Sequence, residues 1–143
     1  MLIRNNKDLE KFLRQLQQPV SKALSSNVAQ TVKTVMKDKV EKEVYAPYSP
    51  SVYQRTGKLG SEESMEATLL NDSTLVVENV RSDGDRNVAE IVETGQGYTY
   101  DFLYSGVPRP FTESTREELV NTGAHVASLY TGLKRQGINV KKN

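Results

Sequence analysis

Apolar residues recur at three- and four-residue steps through the first third of the chain. Leu9, Phe12, Leu13, Leu16, Val20, Ala23 and Leu24 begin the stripe, and Val28, Val32, Val35, Met36 and Val40 continue it. This period matches the 3.6-residue turn, so residues 7–44 are predicted to form a helical arm with one apolar face. Pro19 lies inside the stripe, where it lacks an amide proton and crowds the preceding turn, so a kink or break is expected there. Pro47 and Pro50 disfavour helix in the residues before them and end the arm near Tyr45. Residues 45–60 read as an extended loop rich in Tyr and Pro.

The period then changes to two. Met65, Ala67 and Leu69 alternate with polar residues, Asn71-Asp72-Ser73 supplies turn chemistry, and residues 74–78 return as the second arm of a hairpin. Asp83-Gly84-Asp85 reads as a hairpin turn, residues 88–93 as a third strand, and residues 98–104 as a fourth strand or a surface loop. Ser114 precedes Glu117 by three residues, the spacing of a capping box, and a helix is predicted over 112–135 with a short tail at 136–143. Gly123 weakens that helix by roughly 1 kcal/mol relative to Ala. The order predicts an α+β fold in one domain, 1–143. It has a long N-terminal helix, an antiparallel sheet of three to four strands over residues 61–104, and a C-terminal helix packed on the sheet.

Composition narrows the chemistry. Of 143 residues, 36% are hydrophobic and 26% charged, a lean core that is expected to complete its burial against neighbours. A net charge of +1 gives no field for non-specific nucleic-acid binding, and no sequence-specific nucleic acid is expected as a partner. With no cysteine and a single histidine, His125, thiolate sites and a cysteine nucleophile are excluded, and a histidine metal site is disfavoured. No Gly-x-Ser-x-Gly elbow is present, and Gly95-x-Gly97 lacks the third glycine of a dinucleotide loop. In the strand predicted there, Glu90 and Glu93 would face opposite sides. The expectation is a protein that is not an enzyme and uses no cofactor or metal. No apolar run is long enough for a signal peptide or a membrane span, so a soluble cytoplasmic protein is expected.

Three short segments are not explained by ordinary globular logic: Tyr53-Gln54-Arg55-Thr56-Gly57-Lys58-Leu59, Val92-Glu93-Thr94-Gly95-Gln96-Gly97 and Arg109-Pro110-Phe111. In that order, behind a long first helix, they resemble the HK97-type gene-product-ten family of phage tail components, itself similar to the lambda Z-type tail-completion and neck proteins. The resemblance spans roughly residues 7–135. It implies a structural virion protein, present in the host cytoplasm during assembly, that acts at the head–tail junction or the top of the tail as a neck or tail-completion subunit. A tail terminator ring subunit is an alternative. The implied partners are head-completion, tail terminator or tail tube subunits and further copies of the chain. A small cytoplasmic regulator that acts through its long helix is the competing reading.

The candidate interface residues follow from these segments. Tyr45, Tyr48 and Tyr53 are amphipathic rings of the kind that anchor contacts. Arg55 and Arg109 can each hold a carboxylate with two hydrogen bonds, and Glu93 is a candidate partner for either, within the subunit or across a ring interface. Thr56, Gly57 and Leu59 complete the loop segment, and Phe111 is placed to staple the last helix to the core.

Overall fold

The apolar stripe folds as one kinked helical run of 40 residues in the computed structural model, which describes residues 2–50 and 55–140. Its first part, α1 (Asn6–Ala23), starts at Asn5, whose Oδ1 accepts the Asp8 amide at 2.9 Å, while Asp8 accepts the Arg4 amide in return at 3.1 Å. Pro19 does not end the run. The winding widens one turn later, in a π turn over Leu24–Val28, where the Ala29 amide reaches back five residues to the Leu24 carbonyl. Helices bend at proline and at such wide turns, and here both fall close together. The run goes on as α2 (Ala29–Val40) and closes in a second π turn, Glu41–Tyr45.

The strands are fewer than the alternation implied. β1 (Met65–Asn71) pairs with β2 (Thr74–Asn79) across a tip where Asn71 Oδ1 accepts the Ser73 amide at 2.9 Å. β3 (Ser82–Asp83) and β4 (Arg86–Asn87) form the small hairpin expected around Gly84. The predicted third strand is instead a helix, α3 (Val88–Thr94). Asn87 caps it, with Oδ1 accepting the Glu90 amide at 3.1 Å, and Ala89 and Val92 are buried three residues apart. Seven residues are too few for a two-residue period to outweigh a cap. Residues 98–104 are a loop. The single C-terminal helix is two, α4 (Phe111–Thr122) and α5 (Ala124–Arg135), divided where Gly123 takes φ 68°. The fold is α+β, with two small antiparallel sheets and C-terminal helices.

Contacts gather the chain into two compact units. In the unit of Met1–Thr31, Ala67–Val76 and Ala124–Asn143, α5 packs along α1 and the first π turn. Gly132 makes that approach possible, since a Cβ on it would lie 2.8 Å from the Ala23 Cβ and 2.7 Å from Asn27 Oδ1. Thr31 and Ser128 join their hydroxyls, and Gln136 Nε2 donates to the Pro19 carbonyl at 2.8 Å. The unit of Val32–Glu66 and Val77–Gly123 holds a core of Met36, Val40, Val44, Leu59, Met65, Ala89, Val92 and Phe111. Phe111 is its largest fully buried side chain, and burying it contributes roughly 1.5–3 kcal/mol.

Candidate functional site

A helix leaves its last carbonyls without intrahelical partners and carries partial negative charge at that end. Two arginines distant in sequence meet the end of the long helical run. Arg55 donates through Nη1 to the Tyr45 carbonyl at 3.0 Å and through Nη2 to the Tyr48 carbonyl, with its guanidinium 4.6 Å from the centre of the Tyr45 ring. Arg109 is only 7% exposed. It donates to the Val44 carbonyl at 3.4 Å and to the Tyr98 hydroxyl at 2.8 Å, and stacks 4.3 Å over the Tyr104 ring.

Within the chain, Glu93 pairs with neither arginine. Glu93 accepts the backbone amides of Thr112 at 2.9 Å and Glu113 at 3.3 Å. Pro110, at the N-cap of α4, offers no side-chain acceptor, so Glu93 supplies one from α3 and places its charge at the favourable end of the helix dipole. Two residues on, Gly95 takes φ 75° and lies so close to residue 107 that a Cβ would come within 2.5 Å of its backbone. The Gly106 amide then reaches the Gly95 carbonyl at 2.7 Å, and the Arg109 amide reaches the Val92 carbonyl at 3.1 Å. Arg55 and Arg109 are thus both tied to the helix end, and the segment from Val92 to Gly95 is tied to Arg109 and to α4.

Most of the candidate residues are occupied inside this clasp. The Tyr45 hydroxyl accepts the Gly60 amide at 3.0 Å, and Leu59 and Phe111 are core residues. Tyr48 joins an aromatic cluster centred on Phe102, 5.4 Å between ring centres, with Tyr98 at 4.7 Å and Tyr100 at 5.2 Å from the same ring. Tyr53 lies outside the described residues. Thr56 and Gly57 are exposed at the edge of a cleft of about 500 Å³.

Sequence reasoning did not foresee that cleft. Arg81 and Arg86, on either side of the β3–β4 turn, join Arg55 and Arg109 in its lining, with Val88 and Ile91 from α3 as apolar wall. The available signal was a pair of arginines flanking Asp83-Gly84-Asp85, together with the Asn87–Glu90 cap that makes α3 a helix. Asp83 is the acidic residue of the lining, and among the described residues no carboxylate forms an ion pair with any of the four arginines. Among the described residues, no group of three His, Asp or Glu could hold a metal ion, and no helix is long and apolar enough to cross a membrane.

Fold and site together define a small α+β protein in which two arginines clasp a helix end beside a basic cleft. A family profile, YomN, matches residues 5–135, and the chain belongs to that family. It is 36% identical over 117 residues to the SPbeta prophage-derived uncharacterized protein YomN of Bacillus subtilis (strain 168), covering 80% of this chain and 81% of the relative. No solved structure matches it significantly.

Proposed function

We propose that the chain has a phage-associated role and is a structural subunit of a tailed phage or phage-like particle, acting at the head–tail junction or the top of the tail as a neck or tail-completion protein. The observation that carries the reading is the prophage-derived relative, whose 36% identity extends over 80% of the chain and so includes the clasp and the cleft. The order of the three segments, with its resemblance to the HK97-type tail components, supports the position in the particle. So does the apolar face of α1, where Leu9 is 41% and Leu13 52% exposed, an arrangement suited to burial against neighbours. The partners would be head-completion, terminator or tube subunits and further copies of the chain, within the virion. Electron microscopy of particles lacking the protein tests this. Tails that fail to join heads, or that end abnormally, are expected, and infectious particles with a normal neck would refute it.

The same exposed leucines favour a second reading, a cytoplasmic regulator that pairs through α1. It requires a discrete dimer in sedimentation that Leu13→Lys abolishes.

A further inference from the structure

The arginine cleft has properties that clasping the helix does not account for. Arg55 and Arg109 use their donors on carbonyls and on the Tyr98 hydroxyl, which satisfies hydrogen bonds but brings no carboxylate to either charge. Arg109 keeps one donor idle, since its buried Nε has no partner. Arg86 donates to the Gly97 carbonyl at 3.2 Å, and among the described residues neither Arg81 nor Arg86 forms an ion pair. Four guanidiniums and one aspartate therefore line a single hollow in a protein whose overall charge is +1. Charges taken partly out of water favour pairing with an opposite charge, and the planar guanidinium favours a carboxylate held by two bonds.

We propose that the cleft is a receptor for an acidic segment of a partner protein, one that presents carboxylates beside an apolar side chain. Val88 and Ile91 form a wall for the apolar group, with the Tyr98 and Tyr100 rings beside them, and Arg81 and Arg86 stand where carboxylates would be met. A nucleic-acid backbone fits less well. It calls for a basic track long enough to follow successive phosphates, whereas this site is a short cleft whose arginines stand among apolar and aromatic residues. The proposal rests on the assembly reading only for the existence of a partner protein.

The test is a titration of the full chain followed by NMR, with three probes: a blocked tetrapeptide of two glutamates, a leucine and a phenylalanine; its glutamine counterpart; and a twenty-residue oligothymidine. The glutamate peptide is expected to shift the Nε–H signals of Arg86 and Arg109 and the amides of Gly57 and Gly97. The glutamine peptide should bind about tenfold more weakly, and so should the glutamate peptide to Arg81→Gln/Arg86→Gln, which leaves the clasp intact. Equal binding of the two peptides, shifts confined to other residues, or an unaffected double variant would overturn the proposal. A stronger response to oligothymidine would assign the cleft to nucleic acid instead. Concentration-dependent shifts of the same signals without peptide would assign it to a second copy. Either result refutes the acidic-partner reading. Particle assembly is not used in this experiment, so its outcome is separable from that of the assembly reading.

Discussion

Gly57 and Gly95 give a controlled measure of what the clasp contributes. Both are left-handed, at φ 74° and 75°, so alanine at either position meets the same intrinsic penalty of roughly 1–2 kcal/mol. Their surroundings differ. A Cβ on Gly57 meets nothing within 4 Å, whereas one on Gly95 would lie 2.5 Å from the backbone of residue 107. That strand of loop must move, and it carries the Gly106 amide bonded to Gly95 at 2.7 Å and leads into the Arg109 amide bonded to Val92 at 3.1 Å. Losing both bonds adds about 2 kcal/mol, so Gly95→Ala should cost about 3–4 kcal/mol against about 1–2 for Gly57→Ala. Urea unfolding followed by tyrosine fluorescence suits the comparison, because Tyr45, Tyr48, Tyr98, Tyr100 and Tyr104 lie in the same unit as both glycines. With a slope of about 1–3 kcal/mol per molar urea, the Gly95→Ala midpoint should fall about 1 M below that of Gly57→Ala. Coincident midpoints would refute the steric reasoning and leave the contact between Gly95 and residue 107 without energetic consequence.

Other outcomes follow from the same contacts. Glu93→Ala removes the acceptor for two amides of α4 and should cost about 1 kcal/mol, with faster hydrogen exchange at Thr112 and Glu113; Glu93→Gln should cost less. Gly132→Ala pushes a methyl group into Ala23 and Asn27 and should destabilise the packing of α5 by about 1–3 kcal/mol, read as lost exchange protection along that helix. The Glu113 carboxyl is held below its ordinary range chiefly by its hydrogen bond from Arg116. A depressed folded value means that its contribution is present above the unfolded value and is lost as pH falls through the folded one. Carbon-detected titration should show the Glu113 midpoint rising toward the ordinary value in Arg116→Gln, and an unmoved midpoint would remove the cause assigned here.

The long helix was legible because twelve apolar positions repeat the same period over more than thirty residues, enough to carry the pattern past Pro19. Residues 88–93 were not, since Val88-Ala89-Glu90-Ile91-Val92-Glu93 satisfies either period over so short a span and the decision lay in the Asn87 cap. That one error propagated. With α3 read as a strand, Glu93 seemed free to meet an arginine, when its helix aims it at the amides of α4. In the three sequence segments complementary charge suggested Arg–Glu pairs, whereas within the chain a helix end supplies neutral acceptors. Backbone carbonyls leave no mark in side-chain identity. The cleft was hidden for a related reason: Arg81 and Arg86 become neighbours of Arg55 and Arg109 only once the chain is folded.

The π turn at Leu24–Val28 bears on how chain length can vary in this family. It holds one residue more than the α turn it replaces. Deleting Ser25, exposed on that turn, would let the segment rewind as ordinary helix while both flanks keep their facing. A one-residue deletion elsewhere in α1 or α2 would rotate everything downstream by about 100° and turn the apolar stripe away from its contacts. Alignment gaps among relatives should therefore collect at this turn, which makes it a position where length can change without cost to the fold on either side.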